Sequence, residues 1–371
     1  MKFYCLNGAY KNAGDFLIAQ RCKELLRYCV PNCDIKDQKR NQSIQDKLDT
    51  VNQCDCFILA GGPAYDETIY PDTIPLCDNL ADIKVPIIPI GLGWWGYSSS
   101  IKEIKAQKFS EKSQELMSRM ASTGPLSCRD WESYHVLKEN GYDAVMTGCA
   151  AWYDIAHIGQ LNIRPECQKS DTICISDPAK TKHFELALKL TEFLHARYPS
   201  KKIKFIFHRG TGQADNYTDS QTAKCQAELM EQLKKRNIEI KDISFSSDGF
   251  HEYDNCFFHI GFRVHAHIYN LSIRQPSILI EEDSRGAGVN HALNLPGVKA
   301  YREFNAKRIG RVYRFYMQNC SQNRNAIQEL ALVLDEIELN RDFVYQQVFS
   351  RIDQTFLTMK KYICRILSAV K

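Results

Sequence analysis

The stretch DNCFFHIGFRVHAHIYNLSIRQPSILIEEDS, residues 254–284, decides the fold. Cys256 to Ile260 is a short apolar run, and Gly261 follows it. A helical pattern then continues through Ile268, Tyr269 and Leu271. A second apolar run, PSILIEE (276–282), is led by Pro276 and ends in carboxylates. A buried strand, a helix and another buried strand in this order make one unit of a parallel sheet.

The same habit extends through the chain. MKFYCL, DCFILA (55–60), PIIPIGLG (86–93), PLSCRD (125–130) and about 143–147 read as strands of the first half. DTICIS (171–176), KIKFIFH (202–208), 238–243 and 256–260 read as strands of the second. Helices are expected over Asp15–Cys29, Ser110–Met120, Lys182–Arg197 and about 221–236, and another begins near Trp131. From about Asn323 onward the pattern is helical, without Pro or Gly. Alternating strands and helices predict an α/β protein whose parallel sheets carry helices on both faces. The expected architecture is two Rossmann-like domains facing across a cleft, glycosyltransferase B-like, with C-terminal helices. The boundaries read as 1–160 and 171–322, with a helical segment over 323–371. The polar stretch Leu161–Ser170 is the expected linker.

At 371 residues two domains are the natural count. Hydrophobic residues are 44% and charged residues 25%, which excludes a disordered or fibrous chain. A net charge of +4 is too mild to indicate a nucleic-acid partner. No apolar run reaches the roughly 18–20 residues of a membrane span. The first residues lack the apolar core of a signal peptide. Fifteen cysteines are scattered, without Cys-x-x-Cys, and several lie in apolar runs. They read as buried free thiols of a reduced, cytoplasmic protein, and no metal is expected from them. The last segment, MKKYICRILSAVK, either packs its apolar stripe on the N-terminal domain or rests on an anionic membrane surface.

Open parallel sheets bind ligands at the carboxyl ends of their strands, and the unusual residues collect there. After the first strand come Asn12, Gly14 and Asp15; then Gly61-Gly62, Gly91-Leu-Gly93, Arg129-Asp130, His208-Arg209, Gly261-Phe-Arg263-Val-His265, and Glu281-Glu282-Asp283. Each has a plain reading. The glycines make tight turns or offer N–H groups to an anion. Asp15 is a helix cap or a functional carboxylate. Arg129 pairs with Asp130 or faces a ligand. Arg263 and His265 form the sharpest pair, because Arg supplies a fork for a carboxylate or phosphate and His carries a proton near neutral pH. His259 and His267 read as structural.

Taken together, these residues resemble the polysaccharide pyruvyl transferase family. The matching segments are Asn12-Ala-Gly-Asp15, Gly61-Gly62, PIIPIGLG, LSCRDWESYHVL, VMTGCAAW, His208 with Asp215, and GFRVHAHIYN followed by PSILIEEDSRGAG. The resemblance implies transfer of the enolpyruvyl unit of phosphoenolpyruvate onto two hydroxyls of a sugar, as a pyruvate ketal, in cell-surface polysaccharide biosynthesis. Arg129, Arg263 and His265 are the implied donor-binding residues, with Gly61, Gly62, Gly91 and Gly93 as possible backbone donors. His265 is the expected general acid, and Asp15 or Asp283 the base. Asn12, Trp94, Trp95 and His208 are the acceptor-side candidates. The tryptophans either stack on sugar rings or cover an interface. The co-substrate is phosphoenolpyruvate and no cofactor is required. The expected acceptor is a sugar, lipid-linked in one version, which would place the protein at the inner face of the membrane. A glycosyltransferase of the same fold with a nucleotide-sugar donor is the rival reading.

Overall fold

Twelve strands form in the computed structural model, which describes residues 1–304 and 308–370. They are β1 (Lys2–Asn7), β2 (Asp34–Lys39), β3 (Cys56–Ala60), β4 (Ile87–Ile90), β5 (Leu126–Cys128) and β6 (Ala144–Met146), then β7 (Thr172–Ser176), β8 (Lys202–Phe207), β9 (Glu239–Asp242), β10 (Phe258–Gly261), β11 (Ser277–Glu281) and β12 (Val298–Lys299). The helices that matter for the site are α1 (Ala13–Cys29), α2 (Trp131–Glu139), α3 (Val264–Ser272), α4 (Ser284–Leu293), α5 (Ala326–Leu339) and α6 (Arg341–Val370). By its internal contacts the chain forms two units. The first comprises Met1–Ala9, Ile18–Ile155 and the chain from Ile352 onward; the second comprises Tyr10–Leu17 and Ala156–Arg351.

The first unit holds a four-stranded parallel sheet in the order β2-β1-β3-β4, and the pair β5-β6. Every residue of β3 is buried, as its unbroken apolar sequence demands. Phe57, Leu59, Tyr65, Leu116, Met117 and Val136 belong to its core. The strand β2, DIKDQK, has no apolar pattern because it lies at the sheet edge and is largely solvated; sequence patterning missed it. In α6, Met359, Tyr362, Ile363, Ile366 and Leu367 are buried. Tyr362 Oη donates to Pro89 O at 2.9 Å. The apolar stripe of the last segment is thus used inside the protein. Among the described residues no helix is long and apolar enough to cross a membrane.

The second unit is a six-stranded parallel sheet in the order β12-β11-β10-β7-β8-β9. The chain order reverses between β10 and β7, so the carboxyl ends of those two strands mark a topological switch point. In the first unit the reversal lies between β1 and β3. The expected helix at Asp15 begins two residues earlier: Asp15 sits in the first turn of α1 rather than at its cap, and accepts a hydrogen bond from Asn12 Nδ2 at 3.1 Å. All fifteen cysteines are free thiols, and ten of them are buried.

Candidate functional site

At the switch point of the second unit, β7 delivers Asp177 and β10 delivers Arg263. The Arg263 Nε and Nη2 grip the two Asp177 oxygens at 2.7 and 2.5 Å, and Nη2 also meets Pro178 O at 3.3 Å. Arg263 N–H donates to Ser176 Oγ at 3.0 Å. Both partners of the ion pair are buried. The guanidinium is therefore held rigidly, and Nη1 is its edge without a partner among the described residues. Asp177 raises the affinity of Arg263 for its proton against the opposing effect of burial.

Around this pair stand more charges from the same strand edge. Beyond β11, Asp283 caps α4 and is held by Arg285 through Nε (3.0 Å) and Nη2 (2.7 Å), with Lys180 Nζ 3.4 Å away. The neighbouring Glu282 is buried and accepts from Ala179 N and Lys180 N at 2.8 and 3.0 Å; burial pushes its pKa up. Arg209, just beyond β8, differs from the other arginines. It is half-buried, and among the described residues its side chain makes no hydrogen bond or ion pair. Burial lowers its pKa, Arg263 and Arg285 lower it further, and Asp15 and Asp177 oppose them. An unpaired guanidinium crowded by two others is a place of positive potential with a free hydrogen-bonding fork.

The segment Tyr10–Leu17 closes on this edge. Ala13 N–H donates to His208 O at 3.1 Å. Gly14 lies directly on the His265 imidazole: a Cβ there would fall 2.3 Å from Nδ1. Glycine is the residue that permits this approach. His265 is half-buried on the first turn of α3. Asp15 is near enough to act on both Arg209 and Arg285. The second unit thus brings together Asn12, Gly14, Asp15, Arg209, Arg263, His265, Asp283 and Arg285.

His208 is placed differently from the sequence expectation of an acceptor contact. Its ring is fully enclosed, with Nε2 2.7 Å from Tyr253 Oη, and burial holds its pKa well below that of a free imidazole. Its neighbour Arg209 is only half-buried. His259 and His267 are structural: both imidazole Nδ1 atoms lie 2.7 Å from Ser277 Oγ, and both rings are buried.

In the first unit, Arg129 follows β5. Its Nε binds Asp130 Oδ2 at 2.9 Å and its Nη2 binds Trp94 O at 2.8 Å. Asp130 also caps α2 by accepting from Ser133 N at 2.8 Å. The glycine loops are mostly committed. Gly61 N–H donates to Ile90 O, Gly91 N–H to Ser127 Oγ, and Gly93 N–H to Gly62 O, at 2.8–2.9 Å. Those three cannot serve an anion as they stand. Trp94 is buried, with Nε1 on Gln107 Oε1 at 3.1 Å, so its ring is core. Trp95 is 38% exposed and meets Tyr97 edge-on at 5.0 Å. Among the described residues no group of three His, Cys, Asp or Glu is arranged to hold a metal ion.

The family model for polysaccharide pyruvyl transferase matches residues 12–284. The chain belongs to that family. No curated protein matches its sequence. Among solved structures it is similar to a Neisseria meningitidis UDP-GlcNAc 2-epimerase bound to UDP-GlcNAc, at 12% identity and a TM-score of 0.52, covering 100% of each chain. It is also similar to S. aureus MnaA in complex with UDP, at 11% identity and a TM-score of 0.51, covering 94% of this chain and 90% of that one. At such identities the likeness establishes the fold alone. The chain has the glycosyltransferase B type of α/β fold expected from its sequence, with parallel sheets and C-terminal helices.

Proposed function

We propose that the protein transfers the enolpyruvyl unit of phosphoenolpyruvate to two hydroxyls of a sugar, releasing phosphate and leaving a pyruvate ketal. The observation that carries this reading is the second unit's strand edge, where the unpaired Arg209 stands among Arg263, Arg285 and the His265 imidazole. Phosphoenolpyruvate bears a phosphate and a carboxylate, and a site for it needs several fixed cations. Arg209 supplies the open fork, while Arg263 and Arg285, clamped by their own carboxylates, supply fixed positive charge. Arg129 enters this reading through the family resemblance.

In this reading His265 gives a proton to the terminal methylene carbon. The neighbouring carbon becomes electron-poor and the first sugar hydroxyl adds to it. Phosphate then leaves with the bonding electrons, and the second hydroxyl closes the ring. Of the two hydroxyl protons, one balances that placed on carbon and the other departs with phosphate. Asp15 is the better base of the two carboxylates. Asp283 is held by a guanidinium fork and an ammonium, which makes it a poor proton acceptor. Asp15 accepts from the neutral Asn12 amide at 3.1 Å.

The test is incubation with phosphoenolpyruvate and a panel of free, nucleotide-linked and lipid-linked sugars. The expected result is phosphate release together with a ketal mass gain on one acceptor class. Absence of both, with thermal stabilisation by UDP but not by phosphoenolpyruvate, would replace this reading with the nucleotide-sugar glycosyltransferase.

A further inference from the structure

A second unpaired arginine lies in the first unit. Arg40 follows the edge strand β2, and its backbone N–H donates to Asn7 O at 2.8 Å, which fixes it beside the end of β1. Its guanidinium lies across two glycines at the carboxyl ends of β1 and β3. A Cβ on Gly62 would fall 2.8 Å from Nη1, and one on Gly8 3.3 Å from Cζ. Gly62 has a φ of +78°, so the position demands glycine for its backbone as well as for the space it leaves. Nη1 is buried and has no hydrogen-bond partner, and among the described residues the side chain makes no ion pair. Asp66 feels the Arg40 charge, but it is outside ion-pair distance and its Oδ2 accepts from Thr73 Oγ1 at 2.8 Å. Gly62 also differs from the other three loop glycines. Its carbonyl accepts from Gly93 N–H, and its own N–H has no partner among the described residues.

Partly burying a guanidinium without a counter-charge costs free energy that a folded protein normally offsets with a partner. Here none is supplied among the described residues. The position is the switch point of the first unit's sheet, where ligands of open parallel sheets bind. We propose that Arg40, backed by Gly8 and Gly62, is a phosphate-binding site of the first unit. The phosphate is either one carried by the sugar acceptor or the inorganic phosphate released in the reaction. The acceptor version rests on the pyruvyl-transfer reading, whereas the site itself does not.

The test uses inorganic phosphate and pyrophosphate as probes, titrated calorimetrically into the full chain. Arg209→Ala is the background, so that the second unit's free cation does not contribute. Pyrophosphate binding is expected to persist in Arg209→Ala and to weaken roughly 10- to 100-fold when Arg40→Gln is added. Arg40→Lys, which keeps the charge and loses the fork, is expected to fall between them and guards against a misfolded variant. Equal binding of both probes with and without Arg40→Gln overturns the site. In transfer assays, a KM rise confined to phosphate-linked acceptors assigns the phosphate to the acceptor. Unchanged acceptor KM with weaker product inhibition by inorganic phosphate assigns it to the product. Arg40-dependent pyrophosphate binding without transfer to any acceptor would leave the site standing and remove the reading of function.

Discussion

The carboxyl edges of the two sheets hold their arginines by the same rule and surround them differently. In the first unit Arg129 is bound to Asp130 and the Trp94 carbonyl, and Arg40 is unpaired over two glycines. In the second, Arg263 and Arg285 are bound to Asp177 and Asp283, and Arg209 is unpaired among them. Each edge thus separates arginines tied to the fold from one that has no partner among the described residues. The surroundings set the chemistry. The first edge is rich in glycine and short of titratable groups. The second carries four carboxylates and several cations, and its unit holds nine of the ten histidines.

The largest effect expected is on catalysis. His265→Gln should lower kcat by roughly 10²–10⁴ without weakening phosphoenolpyruvate binding to the same extent. Single-turnover and binding measurements separate the two, and a fully active variant removes His265 as the acid. Next is the division between tied and open arginines. Arg263→Ala and Arg129→Ala each strand a buried aspartate and should cost about 3–5 kcal/mol of stability in denaturant titrations. Arg209→Ala and Arg40→Gln strand nothing and should stay within about 0.5 kcal/mol of the parent. Similar losses in all four would break the comparison.

The two units should also differ in acid. Burial lowers the pKa of His183 and His267 to about 3, and that of His208 and His259 well below the free value. All four belong to the second unit. Below pH about 6.5 the unfolded chain takes up protons that the native state refuses, so stability falls as pH is lowered toward 3. Each group contributes up to about 1.4 kcal/mol per pH unit. The first unit has His135 alone, which is exposed. Hydrogen exchange at pH 5 should therefore show the second unit opening first, and His267→Asn should flatten the acid limb by one proton. Equal opening of both units would contradict this. The smallest effect expected separates the carboxylates: Asp15→Asn should remove the acid limb of kcat, where a base is lost by protonation, whereas Asp283→Asn should mainly lower stability.

Much of this organisation is legible in the sequence for physical reasons. β3, β10 and β11 are buried on both faces and read as unbroken apolar runs. Their loops announce themselves through Gly61-Gly62, Arg263-Val-His265 and Asp283. The edge strand β2 is solvated, its composition resembles a loop, and with it Arg40 went unseen. Adjacent residues at a strand end alternate faces; sequence did not show that His208 would be enclosed and Arg209 left open. Nor could it show that the N–H groups of Gly61, Gly91 and Gly93 are taken, since their acceptors Ile90, Ser127 and Gly62 are met only on folding.

The most direct measurement is calorimetric titration of phosphoenolpyruvate into the parent chain and into Arg209→Ala. The account predicts binding to the parent and a loss of about tenfold or more in the variant at unchanged Tm. Equal affinity for both, or no binding to the parent, would contradict it.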